Sequence, residues 1–583
     1  MCGIFLSIKF SHAHVSIEKE ADFATMATEL EKMNADRGPD AQSSHCLSFH
    51  DVFSDPAVNN QHCNWKLSAK FYASELRLRG QTPVVQPHVR GMNVLCWNGE
   101  VSSKENDGVE LFNILCAAQT TEDISHIFSR IEGPLFSSCN LGHQLFKFSY
   151  AFVFYHEASH RLYYGRDPLG RRSLLIHEPS QDRPYLLLSS VSAGANPAYE
   201  FVELSTEHIY SLNLESWKYS SDAEPAKVNT TIPSENSSRL ECLDDIPEHL
   251  KQAVDDLIYY LDRSVMLQVS DIPRHSKTGR KARVAVLFSG GIDSTILTFF
   301  ANKHIPLDEP IDLLNVAFEN PRKIWAQKEG GVPKRQKNPK KSREIKAKHE
   351  EVSTSYLVPD RVTGIQEVEE LRQLCPGRTW NFVEVNVPFE ECQAARPLVE
   401  SLMSPSRTVM DLSLALALYF ASRGKGQIRK SLDSEPEPYT SEAKVLINGL
   451  GSDELLGGYG RHRSVYNNGG WAAVVSELQQ EIDRIPTRNL GRDDRVISSH
   501  GKETRHPFLS LSLVSFLALL PVHFKMDPRQ EVSIGDKMLL RLAARKVGLI
   551  EASSRKKRAM QFGSHSARMD GERRGDMDLE AVL

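Results

Sequence analysis

Three short strings hold residues that could do covalent or phosphate chemistry. The chain begins Met1-Cys2-Gly3-Ile4, and a residue as small as cysteine after the initiator favours removal of the methionine. Cys2 would then carry a thiol beside its own α-amino group. Such an amine titrates near ~8 rather than ~10 for lysine, so much of it is neutral at pH 7 and can take the thiol proton. Nucleophile and base would share one residue. The second string, Ser289-Gly290-Gly291-Ile292-Asp293-Ser294, follows the apolar run 284–288 and precedes an apolar helical stretch. A strand, a glycine turn and a helix start aim backbone N–H groups and the positive helix end at one point, which cradles anions. No Gly-Lys-Ser/Thr ends the turn, so it is not a Walker A loop. The third string, Asn448-Gly449-Leu450-Gly451-Ser452-Asp453-Glu454, also follows an apolar strand. Its glycines permit close approach of a ligand. Asp293 and Asp453 are hard-oxygen groups of the kind that hold Mg²⁺ beside phosphates.

Further signals accompany Cys2. Arg37-Gly38-Pro39-Asp40 lies on a turn, Arg77 sits in ELRLRG, and Gln86-Pro87 follows; Trp97-Asn98-Gly99-Glu100 ends a strand, Asp107 comes seven residues later, and GRDPLGRR spans 165–172. Arg37 and Asp167 read equally well as members of turn-stabilising ion pairs. In this order the set resembles the class II glutamine amidotransferase domain, over about residues 1–215. The resemblance implies that Cys2 attacks the glutamine side-chain carbonyl, with the Asn98 side chain and Gly99 N–H as the oxyanion hole. It also implies glutamine binding by Arg77, Glu100 and Asp107, with Arg79 a rival to Arg77 for the α-carboxylate. One departure is a 15-residue stretch, 135–149, that separates Gly133-Pro134 from Tyr150, where the family runs a short continuous strand.

SGGIDS directly after a strand resembles the pyrophosphate loop of the ATP pyrophosphatase superfamily. Taken with the string around Asp453, Asp494-Arg495, Glu503-Thr504-Arg505-His506-Pro507, Lys537-Met538-Leu539-Leu540-Arg541 and Lys556-Lys557-Arg558, it resembles the synthetase domain of the asparagine synthetase family. That resemblance implies ATP and Mg²⁺ as cofactors, with glutamine and aspartate as substrates. Aspartate becomes an adenylate and ammonia displaces AMP. Phe288, Ser289, Gly290, Gly291, Ile292, Asp293, Ser294, Val316, Gly449, Gly451 and Lys557 would bind ATP or pyrophosphate, and Asp293 and Asp453 the metal. Leu450 breaks the pattern, because the family motif has a glutamate there. Loss of a general base costs ~10² to 10⁴-fold, so three readings stay open: asparagine synthesis, amide formation on another carboxylate, and a non-catalytic relative that binds ATP.

The elements that must position these groups differ between the two halves. Short aromatic or alternating runs such as GIFLSIKF, AKFYASELRL and YAFVFYH predict an antiparallel, sheet-rich domain with helices over 2–215, of the Ntn-hydrolase kind the resemblance implies. Residues 216–246 are polar and rich in Pro, Ser and Asn, a linker composition. From 247 to 583, apolar strands at 284–288, 313–318, 381–387 and 444–449 alternate with helical stretches, predicting a parallel nucleotide-binding sheet with a helical C-terminal part. A basic insertion at about 320–356 holds eleven Lys or Arg between Arg322 and Lys348 and reads as a solvated surface loop.

The 583 residues exceed one ordinary core, and 75 acidic against 70 basic residues leave a net charge of −5, which argues against nucleic acid as a partner. Nine cysteines without regular spacing form no disulfide framework or zinc pattern. No apolar run reaches the ~18 residues of a membrane span, and no signal peptide opens the chain. The expectation is a cytoplasmic, soluble protein without a membrane partner.

Overall fold

The computed structural model describes residues 2–10, 16–50, 66–80, 82–99, 106–132, 149–180, 182–194, 196, 198–213, 227–234, 239–240, 242–273, 281–319, 356–430, 434–569 and 577–579. Glu100, residues 135–148 and the basic stretch 320–355 lie outside the described residues.

In the N-terminal half the alternating runs form two antiparallel sheets. One has the order β10 (Val202–Glu203), β8 (Leu175–His177), β9 (Tyr185–Ser189), β1 (Cys2–Phe10), β3 (Lys66–Glu75), β2 (Ala41–His50). The other runs β11 (Tyr210–Asn213), β7 (Arg161–Arg166), β6 (Tyr150–His156), β5 (Asn93–Gly99), β4 (His88–Arg90). Successive strand residues point to opposite faces, so Ile4, Leu6 and Ile8 of β1 enter the core between the sheets with Phe71, Val94 and Val153. Phe5 faces the other way, under Met26 and Leu30 of helix α1 (Ile17–Arg37). Helix α2 (Asp107–Ala117) covers the second sheet, with Leu111, Phe112 and Leu115 on Leu95 and Trp97. The result is four layers, helix–sheet–sheet–helix, with Cys2 at the open end of the central strand.

The C-terminal half holds a seven-stranded sheet: β16 (Glu437–Thr440), β15 (Lys425–Ile428), β14 (Trp380–Val387), β13 (Ile311–Phe318), β12 (Val284–Leu287), β17 (Val445–Ile447), β18 (Glu503–Arg505). Pairs from β14 to β18 are parallel, whereas β15 pairs antiparallel with both β14 and β16. The expected parallel sheet is therefore a mixed one. The cause is the connection: two helices, Phe389–Met403 and Val409–Arg423, follow β14. One helix returns a chain to the start of the next parallel strand, but a second carries it back to the opposite end. Gly424, with φ +68, then turns it straight into β15. The helical C-terminal part includes Gly460–Arg488, kinked at Gly470, Leu490–Ser498 and Met538–Lys546.

Within 216–246, the described residues lie on the helical part. Val228 N–H donates to Gln479 Oε1 at 2.8 Å and Asn229 N–H to the Ala518 carbonyl at 2.7 Å. Val228, Leu240 and Leu243 are buried in the same core as helix α4 (Glu248–Val269). The two halves meet through buried charge. Arg37 Nη2 reaches Asp494 Oδ2 at 2.7 Å with both side chains fully buried, Arg495 pairs with Glu203 at 2.6 Å, and Arg172 with Glu503 at 3.1 Å. Of the two residues read as turn-stabilising, only Asp167 acts that way: it accepts the N–H groups of Leu169 and Arg171 and the Arg171 Nε. Arg37 is an interface residue.

Candidate functional site

At the N-terminal end, the packing of one antiparallel sheet on the other brings Cys2 of β1 and Asn98 of β5 together across 96 residues. The Cys2 backbone N–H donates to Asn98 Oδ1 at 3.0 Å. That bond turns the amide so that Asn98 Nδ2, also buried, has no hydrogen-bond partner among the described residues. An unused buried donor is costly, and this one belongs to the residue that Cys2 bonds. Gln86 accepts the Trp97 N–H at 2.8 Å and points Nε2 at Cys2 Sγ, 3.6 Å away. Trp97 Nε1 in turn donates to Asp107 Oδ2 at 3.2 Å, at the first turn of α2. Gly99 lies against the Trp97 ring so closely that a Cβ would sit 2.4 Å from it.

Burial disfavours charge at this site. Burial pushes the Cys2 thiol up to about 11, against the pull of the positive N-terminus. Glu75, the cross-strand partner of Cys2, is buried and pushed up to about 7 by the same cause. Sequence reasoning missed Glu75, since only the β1–β3 register brings it to Cys2. The rivals Arg77 and Arg79 separate: Arg79 is turned to the Ser270 carbonyl at 3.4 Å and Asp271 at 3.7 Å, while the Arg77 N–H bonds Asp40 Oδ2 at 2.7 Å.

The second site forms where strand order reverses, at the carboxyl ends of the adjacent parallel strands β12 and β17, the usual ligand crevice of such sheets. SGGIDS follows β12 and helix α5 (Ile292–His304) begins inside it. Gly290 needs to be glycine twice over: its φ is +75, and a Cβ would lie 2.5 Å from the Gly364 nitrogen. Asn315, on β13, clamps the loop by donating to the Phe288 carbonyl at 2.8 Å.

Asp293 and Asp453 converge as the motifs require, but on a side chain that the sequence reading left without a role. Lys537 Nζ lies 2.6 Å from Asp293 Oδ2 and 2.7 Å from Asp453 Oδ1, with its own side chain fully buried. Lys557 pairs with the other Asp453 oxygen, and Ser452 Oγ donates to Asp293 Oδ1 at 2.6 Å. Burial works against ionisation of Asp453, yet Lys537 and Lys557 outweigh it and hold the group at about 2. Burial likewise opposes the Lys537 charge, and the two aspartates hold its proton well above the ordinary range. Asp293 is thus a structural ion-pair partner as well as a candidate ligand. Among the described residues, no group of three or more His, Cys, Asp or Glu gathers to hold a metal alone. Two carboxylates facing a phosphate cradle nevertheless fit Mg²⁺, which keeps waters and takes oxygens from substrate phosphates.

Asp293, Asp453 and Lys557 form part of the wall of a cavity of about 270 Å³. Phe288, Ser289, Asp293, Ser294, Val316, Gly449 and Lys557 line it, as do Leu450 and Asp453. Ile292 instead enters the core, and Gly451, at φ +98, packs so that a Cβ would meet Leu509 at 2.4 Å. Leu287, Leu314, Leu414 and Leu418 supply an apolar wall suited to a purine ring. Three further carboxylates, Asp360, Asp411 and Asp493, also line the cavity; no motif pointed to them.

A cysteine bonded to an asparagine with an unused amide donor, and a glycine loop facing paired acids and lysines, are arrangements that comparisons with known proteins set among amidotransferase-like proteins of the amide ligase family. The family model described as asparagine synthase matches residues 466–578. Asparagine synthetase domain-containing protein 1 of Bos taurus is 34% identical, over 98% of this chain and 96% of its own length. The Homo sapiens protein of the same name has the same identity and coverage. Asparagine synthetase domain-containing protein YML096W of Saccharomyces cerevisiae is 32% identical over 82% of this chain and 79% of its own. The chain belongs to the asparagine synthetase domain-containing family. Among the described residues, no helix is long and apolar enough to cross a membrane.

Proposed function

We propose that this chain is a glutamine-dependent, ATP-consuming amide ligase of the asparagine synthetase type, with a class II glutaminase in residues 2–215 and the ligase in 247–583. The observation that carries the reading is the meeting of Asp293, Asp453 and Lys557 around Lys537 beside a cavity that also presents a leucine-lined apolar stretch. A nucleotide fits that division, base to the leucines and phosphates to the charges.

In the glutaminase, loss of Met1 turns the Cys2 nitrogen, already bonded to Asn98 Oδ1, into the α-amine that takes the thiol proton. Sγ attacks the glutamine carbonyl, and Asn98 Nδ2 and the Gly99 N–H receive the developing oxyanion. Gln86 orients the sulfur. Arg77 and Asp107 hold the ends of the amino acid, with Glu100. The four-layer sandwich, with Cys2 opening a central strand, supports an N-terminal-nucleophile hydrolase.

In the ligase, the loop N–H groups hold the pyrophosphate portion of ATP, and Lys557 moves with the departing charge. Asp293 and Asp453 would hold Mg²⁺, which when bound neutralises phosphate charge. The aspartate β-carboxylate attacks the α-phosphorus, and ammonia then displaces AMP.

One observation favours an acceptor other than aspartate. Leu450 is fixed, its N–H bonded to Asn448 Oδ1 at 3.0 Å and its side chain packed on the main core. It makes an apolar wall where the family keeps a glutamate. The full-length protein, given glutamine, Mg·ATP and single carboxylates including aspartate, should release AMP and pyrophosphate only with its true acceptor. No release with any carboxylate, alongside a ligand-induced rise in Tm with ATP, would mark a non-catalytic binder.

A further inference from the structure

Amide formation from an adenylate needs a proton acceptor. Ammonia attacks the carboxyl carbon, the C–N bond forms, the C–O bond to phosphate breaks, AMP leaves with its electron pair, and the nitrogen sheds a proton. Leu450 cannot accept that proton. We propose that Asp360, on the cavity wall, accepts it. This inference rests on the ligase reading and assigns the base which that reading leaves unnamed.

The cavity has five aspartates, and four are committed. Asp293 and Asp453 share Lys537 at 2.7 Å or less. Arg492 holds Asp411 at 2.5 Å and Asp493 at 2.7 Å. A carboxylate in so close an ion pair is a poor base, because taking a proton means surrendering the cation. Asp360 is different. Its ion pair is with Arg558 at 3.8 Å, and that arginine is nearly half exposed while Asp360 is 8% exposed. The position of Asp360 is fixed from two sides. It occupies the first turn of the helix Pro359–Leu374, and it lies on the Gly563 backbone so tightly that a Cβ there would fall 1.9 Å from Oδ1.

A carboxylate in a first helical turn is usually there to suit the helix dipole, which favours its charge. Burial wins at Asp360 and pushes it up to about 7, against the pull of Arg558. The other charged groups around it are occupied: Arg361 of the same helix turns to Asn315 and Glu384, Glu367 pairs with Arg555, and Lys557 faces Asp453. A base poised near the working pH is the efficient one.

The test uses the full-length chain with aspartate, Mg·ATP and ammonium, comparing wild type with Asp360→Asn. Amide formation should fall ~10²-fold. Pyrophosphate exchange should persist. Hydroxylamine, already neutral at pH 7 and a strong nucleophile, should trap the adenylate as hydroxamate at nearly the wild-type rate. The ratio of wild-type to mutant amide rate should climb as pH rises through about 7 and then level, because Asp360 works only when ionised. An unchanged amide rate overturns the proposal. So does an equal loss of exchange, hydroxamate and amide at unchanged Tm, which would make Asp360 a nucleotide-binding residue. If the mutant does not fold, the wild-type profile decides: a limb near 7 in amide formation but not in hydroxamate formation supports the base, and the same limb in both overturns it. A wild type that makes neither amide nor hydroxamate from aspartate is a failure of the aspartate ligase reading, seen before any mutant is made, and the proposal falls with it.

Discussion

The cysteine end and the cavity end of the chain use charge in opposite ways. Around Cys2 the hydrogen-bonding groups are mostly uncharged: Asn98, Gln86 and Trp97 form a relay of hydrogen bonds, and burial holds the thiol protonated and lifts Glu75 to about 7. Around Asp453 the charges are full and interlocked, with Lys537 between two aspartates. The difference follows from what each site would handle. A glutamine amide carries no charge at its reacting carbon, so the site needs aimed hydrogen-bond donors more than a cluster of fixed charges. A triphosphate brings several negative charges, which a preset lysine cluster can meet without reorganising.

The sharpest way to break the comparison is Cys2→Ala. Glutamine hydrolysis should drop by ~10³-fold or more, as when a nucleophile is removed, while ammonium-driven pyrophosphate release continues. Hydrolysis at the wild-type rate would end the nucleophile reading.

Lys537→Met should strike the other end. It leaves Asp293 and Asp453 facing each other without their shared cation, which should cost roughly 3 kcal/mol of stability and abolish pyrophosphate release. Glutamine hydrolysis, if the sites are independent, should remain. Calorimetric Tm and both assays on one preparation decide it; an unchanged Tm would mean the cluster is not the rigid element described above.

Between the sites lies the Arg37–Asp494 pair, both members fully buried. Arg37→Ala should destabilise by about 3 kcal/mol, since it takes the close cation from buried Asp494 and leaves it the Ser173 N–H and the more distant Arg172. It should also shift coupling: glutamine-driven synthesis should suffer more than ammonium-driven synthesis. Equal losses would show that the interface only holds the halves together.

The change expected per pH unit is the smallest, and both ends share it. Burial lowers His88, near the cysteine site, and His462, under Tyr459, each to about 4 from 6.5. The unfolded chain therefore binds protons that the folded chain refuses below 6.5. Stability should fall as pH drops from 6.5 towards 4, by up to about 1.4 kcal/mol per pH unit for each histidine. A Tm that is flat over that window would show that these imidazoles are not held neutral.

Much of this was legible in the sequence for local reasons. Alternation forces a strand to show one face to each side, so β1, β5 and β6 could be read directly, as could the strand, glycine turn and helix start around SGGIDS. The acids at 293 and 453 were legible too, because each stands at a fixed offset from glycines that only a close ligand or a tight turn requires. What tertiary structure decided are the relations between distant segments. The antiparallel edge strands came from the number of helices after β14, not from any strand residue. Glu75 reached Cys2 through sheet register, Lys537 reached both aspartates through packing of a helix 244 residues from Asp293, and Arg37 found Asp494 rather than a turn partner. Asp360 shows the reason most plainly: in sequence it is an ordinary acid after a proline at a helix start. Only burial against Gly563 and the cavity, which no local pattern encodes, turns it into a group that can move a proton.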